Sequence, residues 1–119
     1  MTSELSPALR AAVSAMAEKK IEDVVVLNVR GLCSFTDYHV IGHGTSRRQV
    51  QAAGRFVEEK LAEAGVRPYG IEGLKSTEWI LMDFLDFVVH IFLRERREFY
   101  DLESLWGDAQ RIPIEASHG

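Results

Sequence analysis

The chain has 119 residues, enough for one domain with its own core and short for two. Hydrophobic residues make up 46% and charged residues 27%, an ordinary globular balance. A formal net charge of −4 and a pI of about 5.5 count against a free-standing nucleic-acid binder, whose affinity rests on a basic face, and suit a protein partner better.

Ser6 followed by Pro7 reads as an N-cap and a first helical residue, and Leu9, Ala12, Val13, Met16 and Ala17 continue at helical spacing. Lys19 and Lys20 suit the C-terminal end of that helix, where cations meet the dipole. Asp23 to Val29 contains VVVLNV, β-branched and apolar at consecutive positions, which predicts an interior strand covered on both faces. A loop through Gly31 and Ser34 leads to a second strand, YHVIGHG, from Tyr38 to Gly44. Ser46 and Gln49 match a capping box, and Val50, Ala53, Val57, Leu61 and Ala64 extend a second helix that Gly65 stops. Pro68 makes VRPYGIE a short edge strand or a loop, because proline gives a ladder no donor. WILMD and FVVHIFL then form a hairpin across Asp83-Phe84-Leu85-Asp86. Arg94 to Trp106 is charged and aromatic, with Asp101 a candidate N-cap before Leu102, Leu105 and Trp106. The order α-β-β-α-β-β-β-α implies an α/β fold with a mixed five-stranded sheet flanked by helices. A single domain over 1–119 is expected, its tail from about residue 110 to 119 mobile.

The lone Cys33 has no disulfide partner in the chain and cannot anchor a thiolate-rich zinc site. The first twenty residues hold no apolar leader. The longest oily run, Trp79 to Phe92, is shorter than the roughly 20 residues that span a bilayer and carries two acids. The expected setting is the cytoplasm, away from membranes.

Asp83 and Asp86 are the carboxylates that a two-metal or nucleotidyl-transfer site would use. Three residues apart, they point to opposite faces of a continuous strand, and turns favour aspartate for its side-chain bonds to local backbone. His90 shares its strand face with Val88 and Phe92, the setting of a satisfied core histidine. His39 and His43 lie about 13 Å apart along one strand, too far to share a metal. GHGTS, Gly42 to Ser46, lacks the P-loop lysine and reads as a capped strand-to-helix turn, and no G-x-S-x-G elbow makes Ser46 a nucleophile. No metal, cofactor or catalytic residue emerges. The cluster RERREFYDLESLW differs, because Trp, Tyr and Arg dominate interface hot spots.

Together, DYHVIGHGTSRRQVQAA, WILMDFLDFVVHIF and RREFYDLESLWGDA resemble the Iojap family of ribosomal silencing factors (RsfS) over roughly Ile21 to Ala109. Three motifs in the right order make the match specific. Two positions depart from the family pattern: His43, where members more often carry a small hydroxyl residue, and Glu78, where a glycine is common. The resemblance implies a degenerate nucleotidyltransferase-like fold, usually dimeric. It implies a translational repressor that binds the large ribosomal subunit through ribosomal protein uL14 and sterically blocks association with the small subunit during nutrient limitation. Trp79, Asp83, Arg97, Tyr100, Leu102, Glu103 and Trp106 are expected to form or support the partner-facing patch. Two rival readings are a small nucleotidyltransferase using Asp83, Asp86 and Ser46, and a binder of ribosomal RNA through Arg47, Arg48, Arg55 and Arg96. Sequence-specific contact with nucleic acid is not expected.

Overall fold

The Ser6 hydroxyl accepts the Leu9 N–H at 3.1 Å in a computed structural model that describes residues 5–114, and this cap opens the first helix, α1 (Pro7–Glu18). Leu9, Ala12, Ala15 and Met16 form its buried stripe, about two residues per turn. Lys20 takes a left-handed conformation and Ile21 N–H returns to Met16 carbonyl, which closes the helix and turns the chain into β1 (Glu22–Asn28). β2 (Tyr38–Gly44) follows after the 29–37 loop. Ser46 then caps α2 (Arg47–Glu63), its hydroxyl accepting Gln49 N–H at 3.1 Å. The Gln49 side chain does not return to the Ser46 N–H as a strict capping box would. Its oxygen takes the Thr45 N–H at 2.8 Å, and its amide donates to the Lys19 and Lys20 carbonyls, tying the start of α2 to the end of α1.

β3 (Gly70–Glu72), β4 (Trp79–Asp83) and β5 (Phe87–Leu93) complete the middle of the chain, followed by α3 (Arg94–Tyr100), α4 (Leu102–Leu105) and β6 (Gln110–Ile112). The sheet has six strands in the order β3-β4-β5-β2-β1-β6, where five were expected. The sixth comes from residues assigned to a mobile tail: Gln110–Ile112 pair antiparallel with Asn28–Val26. Three residues followed by Pro113 carry too little pattern to announce a strand, and it forms because β1 offers a free edge. Residues 115–119 of that expected tail lie outside the described residues. β2 and β5 pair in parallel at the centre, and the other pairings are antiparallel, so the sheet is mixed.

Strand alternation gives the sheet two unlike faces. On one, Val26, Val40, Ile80, Met82, Val89 and Ile91 pack beneath α1 and α2 in the main core. The helices come close there: a Cβ at Gly42 would meet Ile21 Cγ2 at 2.6 Å, so glycine lets β2 pass under the end of α1. On the other face, Leu27, Val29, Ile41 and Phe92 form a smaller cluster, covered by Trp79, Leu102 and Trp106 rather than by a long helix.

Candidate recognition face

This second face carries all three strand histidines. His39 and His43 project from β2 and His90 from β5, and all are buried. His39 Nδ1 lies 2.9 Å from His90 Nε2, and Trp79 Nε1–H donates to His90 Nδ1 at 3.1 Å. Burial lowers the pKa of His39 to about 4, and burial followed by the neighbouring charge of His39 lowers that of His90 to about 3. Both imidazoles are therefore neutral near pH 7. Trp106 stacks on His39 with centroids 5.4 Å apart, and Trp79 stacks on Phe92 at 4.9 Å and meets Tyr100 at 4.9 Å. Tyr100, Trp79, His90, His39 and Trp106 thus make one aromatic band across β4, β5 and β2. Sequence alone left out the His39–His90 contact, because it depends on the parallel pairing of two strands more than forty residues apart.

α3 and α4 hang over the end of this band. The sequence places a capped helix at Asp101; the structure has two short helices with Asp101 as a left-handed joint, φ 47°. The Asp101 carboxylate accepts the Ser104 hydroxyl at 2.6 Å rather than a helix N–H. Arg97 locks the pair together. Its Nε and Nη2 donate to the two carboxylate oxygens of Glu103, each at 3.0 Å, and Nη1 donates to His43 Nδ1 at 2.9 Å. Because arginine only donates, His43 accepts at Nδ1 and presents Nε2 to Glu22 at 3.2 Å. A polar cleft of about 570 Å³ opens over this network, lined by Glu22, Asp23, Glu98 and Asp101 among others.

The expected patch residues therefore divide. Trp79, Leu102 and Trp106 are half-buried, and Tyr100 is exposed. Arg97 is buried and its acidic partner is Glu103 of the same chain, so both support the surface from behind. Asp83 shares a sheet face with Trp79 but lies about 13 Å away at the other end of β4. Its carboxylate accepts the Leu85 N–H at 2.8 Å, and Leu85 adopts φ 74°, so the acid shapes the hairpin turn. Beyond the expected set, Phe35, Phe99 and Leu105 are 64%, 72% and 69% exposed, an apolar fringe around the band.

The rival enzymatic arrangement separates in space. Ser46 lies just past Gly44, which pairs with Leu93, whereas Asp86 precedes Phe87, which pairs with Tyr38. Six strand steps put Ser46 and the aspartates about 20 Å apart. Among the described residues no group of three or more His, Cys, Asp or Glu side chains could hold a metal ion. The arginines named for an RNA contact are partly engaged: Glu78 holds Arg47 at 3.2 Å and Arg96 at 3.3 Å. No helix among the described residues is long and apolar enough to cross a membrane.

The described residues form a mixed α/β domain that displays rings and leucines on a thinly covered sheet face. The comparisons with known proteins are specific. The family described as "Ribosomal silencing factor during starvation" matches residues 2–118, and the chain belongs to this family. It is 40% identical to the ribosomal silencing factor RsfS of Halalkalibacterium halodurans over 107 residues, 90% of this chain and 92% of that protein. It is 37% identical over 97 residues, 79% of this chain and 42% of the other, to the mouse protein named mitochondrial assembly of ribosomal large subunit protein 1. A crystal structure of a Chromobacterium violaceum protein superposes with a TM-score of 0.82 at 37% identity, covering 93% of each chain. The family implies ribosome-associated regulation of translation.

Proposed function

We propose that the chain represses translation by docking on the large ribosomal subunit through ribosomal protein uL14, and that it thereby keeps the small subunit from joining during nutrient limitation. The observation that supports this most is the aromatic band with its exposed fringe, on a chain of the silencing-factor family. In this reading Trp79, Tyr100, Leu102 and Trp106 meet the partner, with Phe99 and Leu105 beside them. Arg97 and Glu103 hold α3 against α4 behind that surface, and Asp83 fixes the far hairpin turn. Two or three anchors at about 2 kcal/mol each would supply about 4–6 kcal/mol of the binding free energy, with the surrounding contacts supplying the rest.

Obstruction by a docked domain is steric and asks for no acid/base pair, metal or cofactor, so the protein acts without catalysis. The scaffold is nucleotidyltransferase-like, with Asp83 and Asp86 serving the turn in place of chemistry. The chain works in the cytoplasm as a homodimer. Co-sedimentation with purified large subunits tests the docking step: saturable association with large but not small subunits is the expected result, and its absence overturns the reading.

A further inference from the structure

The hydrogen bonds across the second face fix where each ring proton sits. An indole N–H only donates, so His90 Nδ1 accepts from Trp79 and the neutral His90 carries its proton on Nε2. That proton points to His39 Nδ1 at 2.9 Å, so the neutral His39 carries its own on Nε2. There the chain of donors ends. His39 Nε2 and Trp106 Nε1 are both buried, and among the described residues neither has a hydrogen-bond partner. The two rings are stacked, with planes 28° apart.

Buried donors in folded proteins nearly always find an acceptor. Two orphaned donors on touching rings, one of them in a side chain only 3% exposed, point to an acceptor supplied from outside the chain. We propose that the His39 and Trp106 N–H groups form a two-donor receptor for a carbonyl oxygen of the protein partner, a step that rests on the large-subunit docking proposed above. Both groups are neutral donors, which suits an oxygen that only accepts. Trp106 and Leu102 pack against Leu27, Val29 and Ile41, and Phe35 meets the His39 ring at a steep angle; this apolar setting disfavours a carboxylate or phosphate, which would need a buried cation. Trp106 is half-buried in the turn after the four-residue α4, and Phe35 beside His39 is exposed, so the pair lies at the margin of the proposed docking face. Because both donors are buried in the chain alone, a seated peptide segment must displace the Trp106 ring for the segment's carbonyl to reach them. The Trp79–His90–His39 series positions the second donor by fixing its tautomer.

The experiment removes one donor and keeps the ring. Trp106→Phe, and 3-benzothienylalanine at position 106, are compared with the unaltered chain in co-sedimentation with purified large ribosomal subunits. Both are expected to bind at least tenfold more weakly, while the benzothienyl variant, which retains the ring volume, melts at the same temperature as the unaltered chain or higher. Unchanged affinity of the benzothienyl variant overturns the proposal and leaves the docking reading intact. A benzothienyl variant that binds normally but melts lower assigns the donor to an internal water and also overturns it. Failure of the unaltered chain to sediment overturns both readings. Binding to deproteinised ribosomal RNA with the same dependence on position 106 would place the oxygen on nucleic acid, against the proposal.

Discussion

Trp79 and His90 meet diagonally across the β4–β5 ladder, and the indole N–H spends its one hydrogen bond on an imidazole that must stay neutral to accept it. This couples the aromatic band to pH. In the folded chain His39 and His90 have pKa values lowered to about 4 and about 3, against 6.5 for an ordinary histidine. Between those values the unfolded chain binds more protons, so stability increases with pH across the window. The stabilisation is complete above about pH 6.5 and is lost as pH falls toward 4, on the order of 1 kcal/mol per pH unit for each ring. Urea unfolding at pH 7 and pH 5 should show a clear drop that a His39→Leu, His90→Leu double variant largely lacks. Equal pH slopes for the two proteins would contradict the buried neutral pair.

Arg97 holds three elements at once, and its loss leaves the Glu103 carboxylate without its bidentate partner. Arg97→Ala should destabilise the chain by on the order of 3 kcal/mol, the scale for breaking a buried pair from one side. Arg97→Lys should fail to restore it, since an ammonium cannot make the planar double contact. Denaturant midpoints decide this, and a loss below about 1 kcal/mol would show that the pair contributes little.

Gly42 is required by the close approach of Ile21 and Met16, whose atoms would lie 2.6 and 3.0 Å from an added Cβ. Gly42→Ala should cost about 1–3 kcal/mol through overpacking. Adding Ile21→Ala removes the nearer clashing atom, so the two changes should be less than additive in thermal melts. Full additivity would mean that the clash is relieved elsewhere.

The main helices and central strands could be read from the sequence because their determinants are local. Ser6 and Ser46 cap as hydroxyls before helical spacing do, and Asp83 bonds the backbone of its own turn. His90 is buried on its apolar strand face, as its neighbours indicated. What escaped depends on partners distant in the chain. β6 exists only because β1 has an edge to offer, and the His39–His90 contact only because β2 and β5 run parallel. Arg97 shows the same limit: its residue type marked a candidate anchor, but not that Glu103 and His43 of the same chain would engage it. Hot-spot residue types suggested a patch, and burial decided which of its members reach solvent.

Phe99 and Leu105 follow from that division. Both are largely exposed, so Phe99→Ala and Leu105→Ala should leave stability within about 0.5 kcal/mol of the unaltered chain. Each should weaken association with large subunits about tenfold, or about 1.4 kcal/mol. Trp106→Ala should also lose at least that much affinity, but with a loss of stability, because the ring covers His39. Unchanged binding in both exposed variants would move the docking surface away from α3 and α4.

Steric blockade of subunit joining is most directly measured by light scattering as purified small and large subunits are mixed. Large subunits first incubated with excess chain should give a reduced joining amplitude that returns as the chain is diluted. Phe99→Ala should require about tenfold more protein for the same effect. Joining of full amplitude and rate on large subunits saturated with the chain would contradict the account.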